Sequence, residues 1–394
     1  MPARLLTAAI LSSALAAAVP LHAQTADPRA TLEAIAGGRA EEAAQFAPGF
    51  LQQIAAEDVA EITADLRAKW GALEEVISRK DRFILRFQRA DVPTDIVLDD
   101  DGRVAGLWFH PPQPRGNLQS LAAAITGLPG QVSLLVVTDG EVMFEHEADK
   151  PLPVASAAKL AVLAALQDAI ASGRIGWPDV VTLRPEWRSL PSGRLQDWPE
   201  GSAVTVETLA NLMISESDNT ATDALIALVG RDAVEAKAPR NRPFLTTREL
   251  FILKSRGNRI LRAEWRAGDE AARQGIVERL ADDPLPEVEA IGTAPTPEVE
   301  WYFTARELCA VLGATEGSPS LGINPGVAER ADWNTVAFKG GSEPGVVNLS
   351  TLATDHDGRQ HCVVATWVAG EVVDEDLLFT PYRGLLGLLA RGPN

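Results

Sequence analysis

Hydrophobic and polar positions alternate differently in the two parts of the chain. In the first part, Val59, Ile62, Leu66 and Trp70 recur at helical spacing, and shorter runs with strand-like composition follow them. The predicted helices cover residues 29–35, 41–46, 50–54 and 56–70, and the predicted strands cover 73–77, 83–87, 94–98 and 104–109. Helices followed by an antiparallel sheet indicate a small α+β domain over residues 28–110.

Two features complete the prediction for this first domain. Asp99-Asp-Asp-Gly102 has the composition of a hairpin turn between its last two strands. Trp70, Trp108 and Phe109 are expected in its core, because large aromatic side chains are mostly buried. No polar cluster in this domain suggests catalysis, so we expect a structural or docking role.

A proline-rich linker over residues 111–117 leads into the second part, residues 118–394. Strand-like runs occur at both ends of this part, at 133–137, 142–146, 336–338, 346–352 and 361–367, with helical segments between them and a last helix near 377–389. This order predicts one antiparallel sheet, whose strands are far apart in sequence, packed beside a helical lobe. We expect the chemistry in a cleft between the sheet and the lobe.

The amino terminus has the pattern of a secretory signal peptide. Arg4 precedes the apolar run Leu5–Val19, and Ala23 offers a small residue for cleavage. Residues 1–23 are therefore predicted to be removed, which indicates a secreted or periplasmic protein. The run is short for a transmembrane helix, and no later segment is long and apolar enough to span a membrane.

Composition excludes several function classes. The net charge of −18 opposes binding to nucleic acid or anionic lipid. Cys309 and Cys362 either form a disulfide or remain buried thiols, and neither lies in a Cys-x-x-Cys motif or a Cys/His cluster. We therefore predict no metal and no cofactor. His356 lies in a turn and His361 opens a strand, so structural roles are expected for both.

The strongest chemical signal is Ser156-Ala-Ala-Lys159, at the start of an apolar helix that ends near Ser172. Residues three apart on a helix share a face, so the Lys159 amine is expected over Ser156. Burial would lower the pKa of Lys159, and the neutral amine could take the proton of the Ser156 hydroxyl. Taken alone, the motif also fits a helix-capping serine followed by a lysine.

Two further motifs supply partners. In Ser217-Asp218-Asn219, the serine can relay a proton and the Asn219 amide can bind a substrate carbonyl. Taken alone, this motif and the one described next each also fit a cap or a turn.

The second of these motifs is Lys339-Gly340-Gly341-Ser342, which follows the strand 336–338. There Lys339 offers charge to a carboxylate, Gly340 and Gly341 let substrate approach the backbone, and the Ser342 amide can join that of Ser156 in an oxyanion hole.

With these three motifs in this order, residues 118–389 resemble the superfamily of penicillin-binding proteins and serine β-lactamases, and in particular its class A-like branch. The resemblance implies Ser156 as nucleophile, Lys159 as base, Ser217 as proton relay, and Asn219, Lys339, Gly341 and Ser342 as the substrate-binding residues. It implies a small-molecule substrate, namely a β-lactam, an ester or a peptide-like amide. The first domain is similar to the cystatin- or isomerase-like domain that precedes such enzymes in a subgroup of secreted bacterial serine hydrolases.

The sequence departs from that pattern where class A β-lactamases activate the deacylating water. The chain has no Glu-x-x-Leu-Asn segment, and the third motif has Gly340 where the family has threonine. Glu249 is the nearest candidate base by position, but Thr246-x-x-Glu249 also has the pattern of a helix capping box. A β-lactam is thus expected to acylate Ser156 and leave slowly.

Three functions remain open on the sequence alone. The first is hydrolysis of β-lactams or related amides and esters, the second is an esterase or D-alanyl-D-alanine peptidase, and the third is a penicillin-binding protein without efficient turnover. Gly-x-Ser-x-Gly is absent, which disfavours an α/β-hydrolase. The sequence does not indicate an oligomeric state.

Overall fold

A computed structural model describes residues 27–40, 42–79 and 82–392. The predicted signal peptide lies outside the described residues. The chain divides into two compact units, and the boundary in the sequence lies between Pro111 and Pro112. Over the described ranges, no helix has both the length and the apolar character needed to cross a membrane.

The first unit combines short helices with an antiparallel sheet. Its α-helices are α1 (Pro28–Ala34), α2 (Pro48–Leu51) and α3 (Ala56–Trp70), and one π-helical turn, Ile35–Arg39, follows α1. Its strands are β1 (Leu73–Ser78), β2 (Phe83–Phe87), β3 (Ala90–Leu98) and β4 (Val104–Phe109), in the order β1-β2-β3-β4. Strand β3 begins four residues earlier than predicted because Arg86 and Asp91 pair across β2 and β3.

The aromatic residues of the first unit differ in their surroundings. Trp70 and Phe109 pack against a buried cluster that includes Leu85 and Phe87, as expected. Trp108 is half-buried like the other two, but it joins neither of the buried clusters described for this unit and lines an apolar cleft of about 300 Å³ with Phe50. The prediction that Trp108 belongs to the core is therefore wrong, because its strand exposes that face to the cleft.

The second unit contains eleven α-helices, counted over its described residues. They are α4 (Leu118–Thr126), α5 (Lys159–Ala171), α6 (Val206–Ser215), α7 (Asn219–Val229), α8 (Arg231–Lys237), α9 (Thr247–Lys254), α10 (Arg259–Ala267), α11 (Glu270–Leu280), α12 (Ala305–Ala314), α13 (Pro319–Ile323) and α14 (Asp376–Arg391). The strands are β5 (Gln113–Pro114), β6 (Gln131–Thr138), β7 (Glu141–His146), β8 (Leu152–Pro153), β9 (Val180–Thr182), β10 (Ala203–Thr205), β11 (Tyr302–Phe303), β12 (Thr335–Glu343), β13 (Val346–Thr354) and β14 (Gln360–Val368).

The main sheet of this unit is antiparallel with the order β12-β13-β14-β6-β7, so strands from both ends of the sequence are neighbours. The side chains of its central strands point alternately into two cores, because successive residues of a strand face opposite sides of the sheet. Val363 and Ala365 contact the cluster built with α4 and α14, whereas Cys362 and Val364 face the helical lobe. The predicted fold, an antiparallel sheet beside a helical lobe after a small α+β domain, is confirmed.

Helix α5 lies at the centre of the lobe. All residues from Lys159 to Leu166 are buried, because apolar side chains cover the whole circumference of the helix. Between the lobe and the sheet, Cys309 of α12 and Cys362 of β14 are joined by a disulfide, with 6.1 Å between their Cα atoms. The sheet and the lobe are therefore covalently connected.

Candidate active site

Ser156 lies in a tight turn at the amino-terminal end of α5. Residues Ala155–Ala158 form a 3-10 helix, in which side chains three apart lie one above the other. This geometry brings Lys159 Nζ to 3.1 Å from Ser156 Oγ. Ala155 has a φ of 47°, a conformation that costs energy for a residue with a side chain. Ser156 therefore follows a strained residue that is held in place by its surroundings.

The Lys159 amine is surrounded by oxygen atoms. It lies 2.6 Å from the backbone oxygen of Ser217 and 2.6 Å from Asn219 Oδ1, and both of these atoms only accept hydrogen bonds. Burial lowers the pKa of Lys159 to about 7, against the opposing effect of Asp223, Asp218 and Glu343. A neutral amine donates its two N–H groups to those oxygens and directs its lone pair at the Ser156 hydroxyl. The contacts therefore suit a general base.

Ser217 connects the two lysines of the site. Its Oγ lies 3.0 Å from Lys159 Nζ and 3.0 Å from Lys339 Nζ. Ser217 has a φ of 56°, so the turn before α7 is also strained. Burial is the larger cause that holds the pKa of Lys339 well below its usual value, and the nearby Lys159 is the smaller one. A hydroxyl between two amines can pass a proton in either direction, as predicted for Ser217.

Asn219 supports Lys159 instead of presenting a free amide. Its Oδ1 accepts from Lys159, and its Nδ2 donates to the backbone oxygen of Leu190 at 2.9 Å. It also lines the cleft beside Ser156. Asn219 therefore positions the Lys159 amine, which was not predicted, and its role in binding a substrate stays a prediction.

Gly341 has a different role from the one predicted. The motif Lys339–Ser342 lies inside β12, which continues to Glu343, and does not follow the strand. A Cβ atom on Gly341 would lie 2.1 Å from the backbone oxygen of Val154 and 2.8 Å from the backbone nitrogen of Ser156. Gly341 therefore lets β12 pack against the nucleophile turn, the turn Ala155–Ala158 that contains Ser156. The prediction was instead that Gly341 makes room for substrate.

A cleft of about 380 Å³ opens in front of Ser156. Ser156, Asn219 and Ser342 line it, with Ser342 exposed on edge strand β12. Lys159 and Lys339 are buried behind this surface, and both of their amines contact the Ser217 hydroxyl. The backbone N–H groups of Ser156 and Ser342 remain the candidates for the oxyanion hole.

Sequence reasoning missed residues of the cleft that come from distant segments. The aromatic side chains of Phe251 and Trp301 form one part of the wall, and Glu343 and Glu375 form another. Glu343 directly follows the third motif and could have been found from it. Glu375 precedes α14, and no local pattern indicated that it approaches the site.

Asp218 holds the second motif in position. Its carboxylate accepts from the backbone N–H groups of Arg194 at 2.7 Å and Leu195 at 2.9 Å, and it caps α7 through Ala221 at 2.8 Å. The strained Ser217 is thus fixed by a buried neighbour. In the sequence, the position of Asp218 inside the Ser-Asp-Asn triplet was the feature from which its role could have been recognised.

Glu249 is a structural residue. Its carboxylate accepts from the backbone N–H of Thr246 at 2.8 Å, which completes a capping box on α9, and it pairs with Arg231 at 2.6 Å. From the start of α9, Thr247, Leu250 and Phe251 line the cleft instead. The interpretation of Thr246-x-x-Glu249 as a capping box agrees with this geometry.

Comparison with known proteins agrees with this arrangement. A model of the β-lactamase enzyme family matches residues 116–248, which contain the first two motifs. A β-lactamase structure from Sphaerobacter thermophilus is 23% identical and matches with a TM-score of 0.50, covering 70% of this chain and 98% of its own. This likeness shows the fold of the serine β-lactamases.

Two further structures match over a similar range. A class A β-lactamase from Mycobacterium abscessus is 16% identical, with a TM-score of 0.48, over 70% of this chain and 99% of its own. A protein described as PBP-A is 18% identical, with a TM-score of 0.47, over 68% of this chain and 92% of its own. No curated protein matches the chain. The family match over residues 116–248 and the shared fold show that this chain is similar to the β-lactamases.

Proposed function

We propose that this protein is a secreted serine hydrolase that forms an acyl-enzyme at Ser156, with β-lactams or related amides and esters as substrates. The observation that carries the proposal is the environment of Lys159. Its amine lies 3.1 Å from Ser156 Oγ, and burial lowers the pKa of Lys159 to about 7, which favours the neutral form that can act as a base. The signal-peptide pattern supports a location outside the cytoplasmic membrane.

Acylation then proceeds by proton transfer and addition. Ser156 Oγ attacks the substrate carbonyl carbon while its proton moves to Lys159. The carbonyl oxygen gains negative charge, which the N–H groups of Ser156 and Ser342 stabilise. When the bond from carbonyl carbon to leaving group breaks, Ser217 donates its proton to the leaving atom and is reprotonated from Lys159. The products are the acyl-Ser156 ester and the protonated leaving group.

Deacylation requires a water molecule and a base. The carboxylates among the described lining residues are Glu343, which pairs with Lys254, and Glu375, which accepts from the Ser342 hydroxyl. Glu249 lies outside the lining and is held by Thr246 and Arg231. A penicillin-derived acyl-enzyme is therefore expected to persist. Acyl-enzymes formed from simple esters can still turn over slowly, with Lys159 taking the proton of water and returning it to Ser156 Oγ. This observation favours a second candidate, an esterase or penicillin-binding function without efficient β-lactam turnover.

The test uses the purified mature protein with nitrocefin, a fluorescent penicillin and p-nitrophenyl acetate. Turnover is followed by absorbance and acylation by intact mass. We expect covalent labelling that Ser156→Ala abolishes and that Ser172→Ala, a change at the distant end of α5, leaves unaltered. Rapid hydrolysis of nitrocefin would favour a β-lactamase, and labelling without turnover would favour the second candidate. Labelling that persists in Ser156→Ala would refute the nucleophile.

A further inference from the structure

The wall of the cleft carries negative charge in front of the nucleophile. Glu343 and Glu375 both line the cleft, and among its described lining residues there is no arginine, lysine or histidine. The two lysines of the site, Lys159 and Lys339, are 2% and 3% exposed and lie behind that surface. A substrate group that fills the cleft therefore meets carboxylates directly and the lysines only at its floor.

The charge of these carboxylates is only partly compensated. Glu343 lies 3.3 Å from Lys254, but the same ammonium also pairs with the buried Glu300, so one positive charge serves two acidic groups. Glu375 accepts a hydrogen bond from the Ser342 hydroxyl, and no ion pair found among the described residues includes it. A neutral hydroxyl donor leaves the charge of Glu375 in place.

Aromatic rings lie on the same cleft. Phe251 and Trp301 line it, and the indole N–H of Trp301 donates to the backbone oxygen of Leu245 at 3.1 Å, which fixes the orientation of the ring. Aromatic faces attract organic cations, and the effect is larger where water is excluded. One side of the Trp301 indole stacks on Phe244, and the parts of Phe251 and Trp301 that line the cleft lie on the same surface as the two carboxylates.

We propose that the cleft selects acyl groups that carry a quaternary or primary ammonium, with Glu375 and Glu343 as specificity-determining residues. This inference rests on the proposed acylation of Ser156 and deepens it by naming the substrate class. Substrates with a carboxylate in the acyl group are disfavoured, because like charges repel across a partly desolvated cleft.

The test compares three p-nitrophenyl esters with acyl chains of the same length. They end in trimethylammonium (4-trimethylammoniobutyryl), in the uncharged isostere tert-butyl (5,5-dimethylhexanoyl), and in carboxylate (glutaryl). The rate constant for acylation of Ser156 is measured from nitrophenolate release and intact mass. We expect the cationic ester to react roughly tenfold faster than the neutral isostere, and the anionic ester to be the slowest. Added salt should reduce the cationic preference.

Glu375→Gln should lower the cationic-to-neutral ratio to about threefold or less. Glu371→Gln, in the same loop but outside the cleft lining, should keep the wild-type ratio. If Glu375→Gln does not fold, Glu343→Gln and the salt dependence of the wild type give the same information. A wild-type ratio near one, or a ratio unchanged by Glu375→Gln, would overturn this inference alone. Failure of every ester to label Ser156 would overturn both the inference and the proposed function.

Discussion

Lys159 Nζ lies 2.6 Å from Asn219 Oδ1, and this contact holds the amine in place without putting a negative charge beside it. A carbonyl oxygen accepts one N–H of the amine without adding a negative charge. Burial can then lower the pKa of Lys159 to about 7. The choice of an amide at position 219 therefore affects the protonation state of a residue 60 positions earlier in the chain.

This relationship predicts the pH dependence of acylation. Below the pKa of Lys159 the amine is protonated and cannot take the Ser156 proton, so the rate should be low at acidic pH and rise through pH about 7. Asn219→Asp places a carboxylate beside the ammonium, which should raise the pKa of Lys159 by about 1 to 3 and move the rise to more alkaline pH. The measurement is the pH profile of ester acylation.

The control for this experiment is Asn324→Asp, which adds the same charge at an exposed asparagine. Its profile should coincide with that of the wild type. An acid limb that stays in place in Asn219→Asp, while the protein remains folded, would show that Lys159 is not the titrating base.

Gly341→Ala should disable the site. The added methyl group would lie within 2.8 Å of the Ser156 backbone nitrogen and closer still to the Val154 oxygen, so β12 and the nucleophile turn must separate. A displacement of this size costs roughly 100-fold or more in rate, because the oxyanion hole is shared between the two segments. Labelling by fluorescent penicillin measures the effect.

Gly370→Ala is the matched control, since a Cβ atom at Gly370 meets nothing within 4 Å. It should label like the wild type, and both variants should retain the native circular dichroism spectrum. Normal labelling of Gly341→Ala would contradict the close packing of β12 on the nucleophile turn.

The candidate site could be predicted because each of its motifs is local. Ser156 and Lys159 are separated by one helical turn, and a short triplet contains both Ser217 and Asn219. The antiparallel sheet followed from strand patterns at the two ends of the second unit. These features depend on periodicity and spacing, which a sequence displays directly.

Other features depend on contacts between distant segments. Strand β12 extends to Glu343 because β13 pairs with it as far as Val346, and neither glycine could be recognised as a strand residue from its neighbours. Glu375 reaches the cleft through the packing of the loop before α14. Trp108 was assigned to the core by residue type, but burial also depends on what covers its face of the sheet.

The disulfide between Cys309 and Cys362 predicts a stability difference under reducing conditions. The bond closes a loop across 53 positions, and a cross-link of this kind stabilises a protein by about 3 to 4 kcal/mol. Reduction, or the double change Cys309→Ala and Cys362→Ala, should therefore lower the melting temperature, and labelling at Ser156 should persist at low temperature. Thiol titration of the unreduced, unfolded protein should detect no free thiol, and two reactive thiols would contradict the pairing.

Glu249→Gln should affect stability and leave deacylation unchanged. The Glu249 carboxylate caps α9 at Thr246 and pairs with Arg231, and its side chain is 14% exposed. An amide keeps one acceptor and loses the charge, so the free energy of unfolding should fall by about 1 to 3 kcal/mol. Chemical denaturation measures this loss.

The rate of deacylation of the penicillin-derived acyl-enzyme gives the second measurement. Because Glu249 does not line the cleft, the rate should be the same within about twofold for the wild type and Glu249→Gln. Thr246→Ala removes the other half of the capping box and serves as the control, with a loss of about 1 kcal/mol and no change in deacylation. A tenfold slower deacylation confined to Glu249→Gln would instead identify Glu249 as the base that activates water.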